Sequence, residues 1–116
     1  MEIRGIGFVG THTTETEAMV AFVRDVLGLA RTEVEGVGAD LFALRNGDAF
    51  AVSPAYEDGS KERTVGFIVD DLEGAIGELY GAGIETDGIQ LNARWRYTHF
   101  RAPDGRLYEF VEERPR

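Results

Sequence analysis

Apolar residues recur at helical spacing in two stretches of the chain and alternate with polar or small residues almost everywhere else. In TETEAMVAFVRDVLGL, Ala18, Met19, Phe22, Val23, Val26 and Leu27 share one side of a 3.6-residue period. Thr14 stands where an N-cap belongs, Glu17 three residues on completes a capping box, and Gly28 closes the segment. In DDLEGAIGELYGAG, Asp70 or Asp71 caps a second helix with the stripe Leu72, Ala75, Ile76, Leu79 and Tyr80, ended by Gly81 or Gly83 and weakened by its two interior glycines. One-sided helices of this kind pack on a sheet.

Period-two alternation and turn chemistry divide the rest into strands over Ile3 to Val9, Leu29 to Val34, Asp40 to Leu44, Ala49 to Ser53, Thr64 to Val69, Trp95 to Ala102 and Arg106 to Glu112. Ile84 to Leu91 leaves room for one more short strand. Asn46-Gly47 and Asp104-Gly105 each join two strands as hairpins. In order this is strand, helix, three strands, and the same again. The halves also match in letters: IGFV at Ile6 to Val9 against VGFI at Val65 to Ile68, and NGDAFAV at Asn46 to Val52 against DGRLYEF at Asp104 to Phe110, at offsets of 59 and 58 residues. The expectation is a single domain over 1–116 built from two repeat units, about 1–56 and 63–113, joined by a flexible polar linker over Tyr56 to Arg63.

Composition narrows the partners. Twenty-one acidic against twelve basic side chains give a formal charge of -9 with no basic cluster, which disfavours nucleic acid and anionic membranes. No cysteine is present, so disulfides, thiolate nucleophiles and Cys-bound metals are excluded. The first residues lack a basic start followed by an apolar run, and no apolar stretch reaches membrane-spanning length, so the expected location is cytoplasmic.

The doubled strand-helix-strand-strand-strand order, with FVRDVLGL closing the first helix and PDGRLYEFVEE closing the chain, resembles the vicinal oxygen chelate superfamily of glyoxalase I, bleomycin resistance protein and extradiol dioxygenase relatives. The resemblance implies an α+β fold of two tandem βαβββ units, a curved mixed sheet with helices on its convex face, and a concave ligand cup. It also implies a homodimer and, in catalytic members, one divalent metal held by His, Glu or Gln from the first and last strands of each half. Those four positions fall here on Gly5, Thr64, Ala51 and Glu109. Only Glu109 carries a strong metal-binding group, and one carboxylate does not hold a catalytic divalent ion against water. The expectation is therefore a metal-free cup without cofactor that binds a small organic molecule. The alternative is a metal-dependent lyase, isomerase or dioxygenase using Glu109, the one candidate catalytic residue, with His99 or His12 in a displaced site.

If the helices cover Ile6, Phe8, Val65, Phe67, Phe50, Val52, Tyr108 and Phe110, the concave face carries Gly5, Gly7, Thr64, Gly66, Ala49, Ala51, Ser53, Leu107, Glu109 and Val111. Most are small and leave volume for a ligand. In WRYTHFRA, Trp95, Tyr97, His99 and Arg101 share one face and Arg96, Thr98 and Phe100 the other, and alternation does not decide which looks inward. With the first set inward, Thr64, Trp95, Tyr97, His99 and Glu109 are the candidate ligand-binding residues, suited with Arg101 to a planar or anionic molecule. Pairing with an arginine is the expected state of Glu109, ahead of a role as general base. His12 reads as a solvated histidine in the loop entering the first helix, or else a substrate contact.

Overall fold

A computed structural model describes residues 1–57, 59 and 61–115; Asp58 and Ser60 of the expected linker, and the terminal Arg116, lie outside the described residues. The strands are β1 (Ile3–Thr13), β2 (Ala30–Thr32), β3 (Asp40–Ala43), β4 (Ala49–Pro54), β5 (Arg63–Val69), β6 (Gln90–Leu91), β7 (Trp95–Arg101) and β8 (Leu107–Glu113). The helices are α1 (Thr16–Ala21), continued by a π-helical turn over Phe22–Val26, and α2 (Leu72–Gly81). All strands form one curved sheet in the order β2-β3-β4-β1-β5-β8-β7-β6. Each half sets its first strand parallel to its last, β1 to β4 and β5 to β8, while β1 and β5 meet antiparallel at the centre. Two tandem βαβββ units are thus present, as expected.

Both helices lie on the convex face, each over its own core. Val23, with Met19, Val20 and Leu29 beside it, packs on Phe42, Phe50 and Val52. Leu72, Ala75 and Leu79 pack on Val69, Phe100 and Phe110, with Phe67, Ile76 and Tyr108 against them. Asp71 caps α2 by accepting from the Gly74 amide at 3.0 Å, and Glu112 accepts from the Leu72 amide at 2.8 Å, tying the helix start to β8.

Three expectations need correction. Thr14 does not cap α1. Strand β1 runs on to Thr13, opposite Pro54 of β4, so the helix starts later, with Glu15 at the cap and no side-chain cap bond. Within that helix only Val23 is fully buried, whereas Phe22, Val26 and Leu27 are exposed, because the wider π turn changes which residues face the sheet. The third concerns β1, whose register against β5 shifts between Ile6 and Phe8. At this bulge Gly7 and Phe8 both turn to the concave side, after which Gly10 and His12 follow. Phe8, expected under the helices, therefore lies in the cup. Its ring rests on Gly66, where a Cβ would stand 2.3 Å from Phe8 Cε1.

Candidate functional site

The concave face encloses a cavity of about 470 Å³, within the range of small-molecule sites. Phe8, Gly10 and His12 of β1, Thr64 of β5 and Glu109 of β8 form its floor, and Ala49, Ala51 and Ser53 of β4 form one wall. Trp95, Tyr97 and His99 of β7 form the other, which settles the face that alternation left open. The loop from Val34 to Ala39 crosses the mouth from the first half and reaches the second through a bond from the Ala93 amide to the Glu35 carbonyl, 2.9 Å.

Strand pairing sets His99 directly opposite Glu109, and the two side chains meet. His99 Nε2 lies 2.7 Å from Glu109 Oε1, and its Nδ1 lies 2.7 Å from Asp87 Oδ2. Carboxylates only accept hydrogen bonds, so both ring nitrogens donate and the ring is an imidazolium. Burial disfavours that charge, yet the bonds and fields of Glu109 and then Asp87 outweigh it and raise the His99 pKa to about 8. Asp87 also accepts from the His99 amide at 2.8 Å. Burial opposes ionisation of Asp87, but this amide and the imidazolium hold its carboxyl below the usual range. Tyr97 is pushed up by burial and by the Glu109 and Asp87 charges, so its phenol stays protonated.

A second polar group faces the cavity beside the first. His12 Nδ1 donates to the Pro54 carbonyl at 3.1 Å, leaving Nε2 to accept from the Tyr56 hydroxyl at 3.0 Å, with Thr64 Oγ1 at 3.3 Å. Tyr56 stacks on the His12 ring at 4.2 Å, and burial raises its pKa. His12 is therefore a half-buried strand residue of the cup, not a solvated loop histidine. The linker expected to be flexible is pinned at both ends: Tyr56 folds back onto the site, and Glu62 accepts from Arg101 at 2.9 Å and from the Leu107 amide at 3.2 Å.

All five candidate ligand-binding residues, Thr64, Trp95, Tyr97, His99 and Glu109, line the one cavity. Their expected surroundings differ in two respects. Glu109 pairs with a histidine rather than an arginine, because the guanidinium on its face, Arg101, turns away to Glu62. The guanidinium that remains in the lining is that of Arg94, 4.6 Å over the Trp95 ring. Of the four positions implied for a metal, Thr64, Ala51 and Glu109 line the cavity and Gly5 does not. The carboxylates of Glu109 and Asp87 are turned onto the His99 ring between them, and among the described residues no group of His, Asp or Glu side chains is arranged to hold a metal ion. The donor set does not fit the divalent ion that the resemblance implies for catalytic members.

Tyr56 and Asp87 were not singled out as ligand-binding residues, and His12 was weighed as a substrate contact only behind the solvated reading. The β-branched Thr11 and Thr13 on either side of His12 are a signal for a strand continuing past Val9, and Asp87-Gly88 is a turn signal bordering β6. Nothing local marked Tyr56.

No family model matches the chain, and no curated protein matches it. Solved structures do. Methylmalonyl-CoA epimerase from Mycobacterium tuberculosis superposes with a TM-score of 0.78 at 19% identity, over 97% of this chain and 90% of that one. A variant of Streptomyces coelicolor methylmalonyl-CoA epimerase in complex with 2-nitronate-propionyl-CoA gives 0.75 at 18%, over 98% and 100%. A methylmalonyl-CoA epimerase in complex with methylmalonyl-CoA and ammonium gives 0.73 at 18%, over 98% and 100%. At these identities the likeness establishes the vicinal oxygen chelate fold and leaves activity to the site. Among the described residues no helix is long and apolar enough to cross a membrane.

Proposed function

We propose that the protein is a single-domain member of the vicinal oxygen chelate superfamily, of the glyoxalase and bleomycin resistance type, that binds a small organic molecule in its cup without a metal. The observation that carries this reading is the cavity itself. It is walled by Trp95, Tyr97, Phe8 and small residues, and buried polar groups converge on its floor while the Asp87 carboxylate and one oxygen of Glu109 are committed to His99. Thr64, Trp95, Tyr97, His99 and Glu109 are the binding residues in this reading, joined by His12 and Tyr56. A cytoplasmic homodimer fits the acidic surface and the Phe22, Val26 and Leu27 side chains exposed together on α1, with Val26 71% exposed. Sedimentation at micromolar concentration tests the dimer, and a monomer there removes it.

A broad panel of metabolites and antibiotics, screened by thermal shift, tests the binding. A true ligand raises Tm in proportion to its concentration over Kd, and Tyr97→Ala or His99→Ala abolishes the gain. No response anywhere in the panel sinks the reading.

The epimerase structures favour a second reading, an isomerase or lyase of CoA esters using Glu109. Incubating the protein with methylmalonyl-CoA in D2O, with and without added cobalt or manganese, separates the two. Deuterium incorporation lost in Glu109→Gln establishes the enzyme, and none above buffer with either metal removes it.

A further inference from the structure

We propose that the cup recognises the edge of a neutral, flat molecule carrying a carbonyl oxygen beside an N–H, as in a lactam or imide. Glu109 Oε2 accepts from the N–H and the Thr64 hydroxyl donates to the carbonyl. This rests on the reading of the cup as a small-molecule site and assigns its ligand class.

Thr64 and Glu109 are the most buried polar residues in the lining, at 4% and 6% exposure. Glu109 Oε1 is taken by His99 Nε2. No described group is bonded to Oε2, yet no buried side-chain oxygen among the described residues lacks a partner. Oε2 of this otherwise buried residue therefore opens into the cavity as a free acceptor. A carboxylate held there attracts an N–H donor strongly.

Thr64 supplies the complement. His12 Nε2 has one lone pair, and the nearer hydroxyl, Tyr56 at 3.0 Å, fills it. The Thr64 hydroxyl, farther away at 3.3 Å, is the more weakly held of the two. It is free to swing to a ligand carbonyl without stranding a buried donor. Gly66 pairs with Glu109 across the parallel strands β5 and β8, and Thr64 stands two residues along the same face, so donor and acceptor are roughly 8 Å apart at Cα, within reach of one ligand edge.

The surroundings select a flat and neutral body. Phe8 lies on Gly66 beside the pair, and Trp95 and Tyr97 form the facing wall. The charges in the lining balance, Asp87 and Glu109 against the His99 imidazolium and the Arg94 guanidinium that lies 4.6 Å over the Trp95 ring, so neither an anion nor a cation is favoured over a neutral body.

The test is an NMR titration of the full-length protein with quinolin-2(1H)-one, its N-methyl derivative, quinoline-2-carboxylate and methylmalonyl-CoA. The lactam is expected to shift the Trp95 indole and the Thr64, Gly66 and Glu109 amides saturably, with N-methylation costing about tenfold in affinity, the loss of one hydrogen bond to a charged acceptor. Thr64→Val weakens the lactam by a similar factor, Thr64→Ser restores it, and Glu109→Gln shrinks the N-methyl penalty to about threefold or less. Amide dispersion confirms that each variant folds. Equal binding of the lactam and its N-methyl derivative overturns the proposal. So does binding of the carboxylate or the CoA ester alone, which leaves the small-molecule cup standing. Silence from all the probes also overturns this ligand class, and the wider panel then decides the cup independently.

Discussion

His99 is held as an imidazolium between two carboxylates, and that arrangement makes the protein's stability depend on pH in a defined window. The folded pKa, about 8, lies above the ordinary value of 6.5, so folding binds a proton that the unfolded chain holds more weakly. The contribution is complete below pH 6.5 and disappears as pH rises through about 8. A shift of this size corresponds to roughly 2 kcal/mol. Urea denaturation at pH 6 and pH 9 is expected to differ by about that amount, and His99→Gln is expected to flatten the difference. A wild-type protein equally stable at both values refutes the pairing. Gly66 carries a constraint of another kind. Phe8 occupies the space of its missing Cβ, so Gly66→Ala displaces the ring or strains the sheet, at a cost of about 1 to 3 kcal/mol. Phe8→Ala in the same chain opens that space, and the double variant is expected to recover part of the Gly66→Ala loss. Strict additivity of the two changes would show that the ring and the glycine do not touch.

The two helices begin differently, and the difference is measurable. Asp71 bonds the Gly74 amide at the start of α2, whereas Thr14 bonds nothing at the start of α1, where the Thr13 hydroxyl accepts from the Glu15 amide instead. Asp71→Ala is expected to cost about 1 kcal/mol and Thr14→Ala close to nothing in thermal or chemical denaturation. Equal losses would mean that α1 is capped after all. The sequence signal was the same in kind at both helices, a capping residue followed by an apolar stripe, and it succeeded only at α2. There the strand ends before the helix in a short turn. At α1 the end of the preceding strand is decided by pairing with β4 through Pro54, a contact more than forty residues away that no local pattern encodes. The same distinction governs the cup. Faces on β4, β5 and β8 were readable because alternation is unbroken across Ala49, Ala51 and Ser53, and across Leu107 and Glu109. On β1 a bulge changed the parity, bringing Phe8 and His12 inside. Arg101 looked available because it shares a face with His99, but Glu62, from the supposed linker, claims it.

At the scale of the whole molecule, two separate cores share one sheet, and that decides how the protein unfolds. Val23, Phe42 and Val52 bury one helix, Leu72, Val69 and Phe110 the other, and neither cluster includes a residue of its counterpart. Taken alone, each half resembles an independent unit. Strand β1, however, pairs with β4 on one side and with β5 on the other, and the junction with β5 extends from Ile3 opposite Val69 to Thr11 opposite Arg63. Losing either half leaves a long edge of unpaired backbone groups and opens the cavity floor between Thr64 and Gly10 to water. A half that stood alone would also bury too little surface for a chain of such length. The two cores are therefore expected to melt together. Leu72→Ala under α2 removes a wholly buried side chain at a cost of about 2 to 5 kcal/mol, and Val23→Ala under α1 a somewhat smaller one. In calorimetry each variant should show a single transition, shifted as a whole, with calorimetric and van't Hoff enthalpies in agreement. Splitting into two transitions, with only the half that carries the substitution shifted, would show that β1 and β5 are a seam rather than a bond. The cup would then be a joint between two moving bodies, and its ligand would act by closing it.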